Sequence, residues 1–116
     1  MTRPWSDPRK DIERKLRVQP ELFLVAELDA RVVGTAMAGY DGHRGWVYYF
    51  GVAPDARRNG IGAALMAEVE RRLAELGCPK INLQVRTGND DAIEFYRAIG
   101  FAPDDVSSMG KRLVQD

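Results

Sequence analysis

The sequence predicts a mixed α/β fold: a mostly antiparallel sheet flanked by helices. Three observations predict it. Between Glu21 and Val52, short apolar runs rich in branched and aromatic residues alternate with turn residues. From Leu65 onward the apolar spacing changes to that of a helix, with Val69, Leu73 and Leu76 following. The strand-like "INLQVR", residues 81–86, then lies between two helical stretches. A helical crossover should therefore bring it parallel to the strand at 46–52.

Each element has its own local signal. "SDPRKDIERKLRV" reads as a short helix, with Asp7 as N-cap, Pro8 at the first helical position, and Ile12 and Leu16 on one face. Trp5 is expected to pack against it. "ELFLVAEL" and "RVVGTAMAGY" flank the turn-like "DA" and read as an antiparallel hairpin. "DGHRG" is a second turn, leading into the strand "WVYYFGV". The helix that carries Leu65 should stop at Gly77. "NDDAIEFYRAIG" predicts a helix capped by Asn89 or Asp90, with Gly100 past its end. "VSSMGKRLV" is expected to form a final strand.

Bulk composition narrows the class. The 116 residues fit one domain, 1–116, and a 45% apolar, 29% charged composition is that of a folded globular chain. Seventeen acidic residues balance seventeen basic ones, which argues against general binding to nucleic acid or an anionic membrane surface. Cys78 is the only cysteine, so no internal disulfide forms and a cytoplasmic setting is expected. No apolar run reaches the roughly 18 residues needed to span a bilayer. The first residues, "MTRPWSDPRKD", lack the apolar core of a secretory signal.

The chemistry concentrates in "PDARRNGIGAALM", residues 54–66. A strand, a glycine turn and a helix start together present unpartnered backbone N–H groups to an anion, and the helix dipole adds to the attraction. Gly60 and Gly62 remove the Cβ atoms that would hold a phosphate away, and Arg57 and Arg58 add cationic donors. A Walker A loop would need Lys-Ser or Lys-Thr here, and a dinucleotide fingerprint would need a small residue where Leu65 stands. Two readings remain: a diphosphate carried by some other molecule, or a tight turn with solvated arginines. A second feature follows. Asn89 and Tyr96 are seven residues apart and share a helix face, roughly 10 Å apart along the axis. Small Ala92 lies between them. A slender amide-containing chain could lie along that corridor.

Together, "VAPDARRNGIGAALM" and "VRTGNDDAIEFYRAIGFAP" resemble the GNAT superfamily of acyl-coenzyme A-dependent N-acyltransferases. The first segment is similar to its R/Q-x-x-G-x-G/A loop, as Arg57, Arg58, Asn59, Gly60, Ile61 and Gly62. The second is similar to its Asn…Ala…Phe-Tyr…Gly-Phe helix, as Asn89, Ala92, Phe95, Tyr96, Gly100 and Phe101. The likeness covers essentially the whole chain. With "PWSDPRKDIERK", "GYDGHRG" and "GCPKI", it points most to the small bacterial YpeA-type acetyltransferases. The resemblance implies a GNAT-type sheet, with that family's usual first strand and helix missing before "PWSDPRKD".

It also implies roles. Backbone N–H groups from Arg58 to Ala63 would hold the diphosphate of acetyl-CoA. Phe50, Gly51 and Val52 would pair their backbone with its pantetheine arm, like an added strand. Asn89 would bond that arm, and Tyr96 would stand by the thioester sulfur as general acid. An amine acceptor, either a small molecule or a protein N-terminus, would attack the thioester directly, with a strand N–H near Val52 polarising the carbonyl. No metal is implied. Some relatives carry a glutamate base where Gln84 stands, and an amide cannot take up a proton at neutral pH. Glu27, Asp41, His43, Tyr48 and Tyr49 are the alternatives. The competing expectation is a non-catalytic acyl-CoA-binding or regulatory module. A short first edge also predicts a homodimer.

Overall fold

The computed structural model describes residues 8–114, with the backbone alone at 8–11, 58 and 59. Trp5 and the proposed cap Asp7 lie outside the described residues. Two compact units are present. One is Lys15–Gln84; the other joins the residues up to Arg14 with those from Val85 onward.

The larger unit holds a four-stranded sheet and one long helix. β1 (Phe23–Leu28), β2 (Arg31–Tyr40), β3 (Gly45–Val52) and β4 (Ile81–Leu83) lie side by side in sequence order. β1–β2 and β2–β3 are antiparallel, and β3–β4 is parallel, as the crossover argument requires. The crossover is α2 (Ile61–Glu75), preceded by a 3₁₀ turn at Pro54–Asn59. Its buried stripe is Gly62, Leu65, Met66, Val69 and Leu73. A Cβ on Gly34 would come within 3.3 Å of Leu65, and one on Gly45 within 3.2 Å of Leu73. The face bearing Gly34 and Gly45 is therefore the one that meets α2, and its paired residues Ala36, Ala38 and Val47 are buried there.

The β1–β2 loop is two residues long, and both are left-handed: Asp29 at φ 53° and Ala30 at φ 63°. That backbone matches the twist of a tight hairpin, although Asn-Gly would adopt it more easily. α2 ends on Gly77 at φ 87°, where the N–H of Cys78 bonds the carbonyl of Leu73 and the N–H of Gly77 that of Ala74. The stop at Gly77 is as the sequence predicts, but Leu76 caps the helix, 46% exposed, and does not extend the buried stripe.

The smaller unit contains α1 up to Arg14 (the helix as a whole spans Pro8–Lys15) and α3 (Asp90–Ala98). Two expectations fail. β4 stops at Leu83, so Gln84 lies beyond the strand, not within an 81–86 run. The segment "VSSMGKRLV" forms no strand among the described residues, and Val106, Met109 and Leu113 are exposed. Strand propensity alone leaves backbone groups unsatisfied; a ladder partner is what makes the strand.

Candidate functional site

The tip of α2 has the features of an anion cradle. Its N-cap is Gly60, at φ 73°, and no cap side chain accepts from the first turn. That first turn also contains no acidic residue. α3 makes the opposite choice. The Asn89 side chain accepts from the N–H of Ala92 at 3.2 Å, and Asp90 and Asp91 sit in the first turn. One helix meets its own N-terminal donors with protein oxygens; the other sets Ile61, Gly62 and Ala63 behind a cap residue that has no side chain. A Cβ on Gly60 would meet nothing within 4 Å. The glycine there serves the left-handed backbone, not a crowded neighbour.

The strand before the tip turns its edge in a specific way. The N–H of Ala53 bonds the carbonyl of Val33 at 2.7 Å, which makes Val52 and Gly34 a pair that exchanges no hydrogen bonds with each other. The N–H and C=O of Val52 therefore point away from β2, and by the two-residue alternation so do those of Phe50. Gly51 has the other phase. Its backbone groups face Thr35 on β2, so Gly51 can offer an arm only the space of its missing side chain. The β3–β4 ladder runs from Gly45 with Ile81 to Val47 with Leu83 and stops there. Beyond it, Phe50 and Val52 aim backbone donors and acceptors along the same edge.

A bulge at Tyr48 sets this phase. The register jumps there: Met37 faces Tyr49, Ala38 faces Val47, and Tyr48 is the extra residue. Without it, Tyr49 and Gly51 would aim outward in place of Phe50 and Val52. No sequence signal marks the bulge. The nearest hint is Gly39, across the sheet, where a Cβ would press within 3.1 Å of the Tyr48 ring.

Arg57 lies between strand edge and helix tip. Its Nε donates to the Val52 carbonyl at 3.1 Å. Nearby, Arg31 pairs with Asp55 at 2.8 Å and ties the 3₁₀ turn to the start of β2. The side chains of Arg58 and Asn59 lie outside the described atoms.

In the smaller unit, Asn89, Ala92 and Tyr96 lie along α3, as the spacing predicts. α3 ends on Gly100 at φ 104°, with the N–H of Phe101 bonding the Tyr96 carbonyl at 2.9 Å and that of Gly100 the Arg97 carbonyl at 3.1 Å. This is the same closing motif as in α2, and its usual apolar contact falls on Tyr96 and Phe101. Their rings meet edge to face at 5.8 Å, and Phe95 meets Tyr96 likewise at 5.3 Å. Burial pushes the Tyr96 phenol above its ordinary pKa, so it keeps its proton throughout the neutral range. Because the Asn89 oxygen caps α3, its amide N–H₂ is the group suited to donate to a carbonyl.

The base candidates separate by environment. The backbone N–H groups of Arg44 and His43 hold the Asp41 carboxyl below its usual range. Burial, with the Asp41 charge, raises Tyr48. Both shifts weaken those groups as bases at neutral pH. Glu27, His43 and Gln84 are exposed. Among the described residues, no group of three or more His, Cys, Asp or Glu could hold a metal, and no helix is long and apolar enough to cross a membrane.

Residues 1–101 match the model of the family described as Acetyltransferase (GNAT) family. The chain belongs to the GNAT family. It is 51% identical over 116 residues to an acetyltransferase of Pectobacterium atrosepticum, covering 100% of this chain and 82% of that one. It is 53% identical over 117 residues to an acetyltransferase of Sodalis glossinidius, with the same coverage. Among solved structures it is similar to Ard1 from Thermoplasma volcanium, with a TM-score of 0.78 and 33% identity over 84% of this chain and 66% of that one. Like the GNAT members it resembles, the protein is an acetyl-CoA-dependent N-acetyltransferase.

Proposed function

We propose that this GNAT protein transfers the acetyl group of acetyl-CoA to a primary amine, a peptide or protein N-terminus or a small amine, by direct attack on the thioester. The observation that carries this reading is the pairing, within one unit, of a glycine-capped and acid-free helix tip with a strand edge whose Phe50 and Val52 groups face outward. The tip suits a diphosphate and the edge suits an amide-containing arm. Gly60, Ile61, Gly62 and Ala63 would supply backbone donors, with Arg57, Arg58 and Asn59 completing the loop. The Val52 N–H would polarise the thioester carbonyl. On α3, the Asn89 amide would bond the arm beside Ala92, and Tyr96 would give its proton to the departing thiolate. Acetyl-CoA supplies the activated acyl group; every proton transfer is left to this chain and its acceptor.

The acceptor class is inferred from the base candidates among the described residues. Deprotonating a lysine amine at pH 7 costs about 4.6 kcal/mol, against about 1 kcal/mol for an α-amine. A site whose carboxylate candidates are exposed or acid-shifted favours the less basic amine.

Two measurements test this. Acetyl-CoA at 100 times its dissociation constant should add about 2.7 kcal/mol to folding stability in a thermal shift. Thiol release across a panel of amines should be fastest with peptide N-termini. No shift removes the cofactor assignment; faster turnover of lysine side chains or polyamines removes the acceptor assignment.

A further inference from the structure

We infer that Arg57 is a positioning residue that couples the two parts of the cofactor site: its side chain holds the outward carbonyl of Val52 and yields it when a diphosphate binds. The inference rests on the cofactor reading above, and three observations carry it.

The phase set by the Tyr48 bulge turns the Val52 carbonyl to the edge where the β4 ladder has already ended. Arg57 Nε donates to that same carbonyl at 3.1 Å. Arg57 belongs to the 3₁₀ turn that ends at Gly60, the N-cap of α2, so its guanidinium starts within the loop that would receive the phosphates.

A guanidinium exchanges a neutral carbonyl for a diphosphate readily, because the anion adds the attraction of opposite charges and can be held bidentately. Once Arg57 has turned to the anion, the Val52 carbonyl is open to a ladder-type bond from an amide N–H of the arm. Phosphate binding and arm binding then help each other, and by linkage the help is equal in both directions.

The experiment uses two fragments. ADP carries a diphosphate without the arm, and S-acetylpantetheine carries the arm without phosphates. Chemical-shift titrations of the full chain read both affinities, with the Val52 amide as reporter for the arm. In the wild type, saturating ADP should tighten S-acetylpantetheine by at least about fivefold, the lower end of ordinary coupling. In Arg57→Ala, the arm alone should bind as tightly as it does to the ADP-loaded wild type, and ADP should no longer change it. Arg57→Leu, a second variant of the same exposed position that carries no donor, should behave the same way. A residue that only binds phosphate gives a different pattern: weaker ADP, with arm affinity unchanged from the wild type. That result overturns the inference, as does coupling that survives in both variants. If the wild type binds acetyl-CoA but shows no coupling, this inference alone fails. If it binds neither acetyl-CoA nor ADP, the cofactor reading fails with it.

Discussion

Tyr96 shows how a single side chain is prepared by ordinary helix chemistry. Gly100 allows the left-handed turn that closes α3, the turn brings Phe101 back to Tyr96, and burial between aromatic rings keeps the phenol protonated. Tyr96→Phe retains the ring contacts and removes the hydroxyl. Turnover should fall by about 10²–10⁴, the range for a positioned general acid. The thermal shift with acetyl-CoA should persist, since the diphosphate loop lies in the other unit. An unchanged rate of thiol release would remove Tyr96 from the chemistry. At the hairpin, Ala30 carries a Cβ at φ 63°, a conformation that costs an L-residue roughly 1–2 kcal/mol. Glycine removes that strain but adds entropy to the unfolded chain. Ala30→Gly should therefore stabilise by about 0.5 kcal/mol, read as a rise in the denaturant midpoint at constant slope; a fall would show that the turn is unstrained.

The elements differ in how they handle their ends, and this is where function enters. Both long helices close on glycine, but they start differently: the Asn89 side chain caps α3, whereas α2 starts on Gly60. α2 carries its charges on the exposed side instead. Arg71 and Arg72 both bond Glu68, and Arg71 also pairs with Glu75. These contacts hold the Glu68 carboxyl at about 2, below its ordinary 4.5. A depressed folded-state pKa means stability that is present above pH 4.5 and lost as pH falls through about 2. Comparing melting temperatures of the wild type and Glu68→Gln should show a small wild-type advantage at pH 6 that closes between pH 4.5 and 2. The effect is modest because the pair is exposed to solvent. An advantage independent of pH would assign it to packing.

For the whole molecule, sheet order decides which edges remain. Among the described residues β1 and β4 are the outer strands, and β1 is the longer at six residues. Val25 and Leu28 on β1 are exposed, at 52% and 42%. A long edge with exposed apolar residues invites pairing with another chain. We expect a homodimer through β1, sedimenting at twice the 13.0 kDa chain mass. Val25→Lys should return it to monomer; a wild type that stays monomeric at high concentration counts against the dimer.

The residues by themselves determined the parts whose causes are local. Glycines at Gly60, Gly77 and Gly100 take left-handed backbone because a Cβ would strain there, and Asn89 caps because its side chain reaches the N–H three residues on. Hence the helix ends at Gly77 and Gly100 and the Asn89 cap of α3 were legible in the sequence. Tertiary structure decided whatever needs a partner strand. The tail "VSSMGKRLV" has strand-like residues but no ladder, and β4 stops before Gln84 for want of further pairing with β3. The orientation of Phe50 and Val52 depends on one extra residue, Tyr48, against β2. Hydrogen-bond phase is a property of two strands together, and no pattern within one of them specifies it.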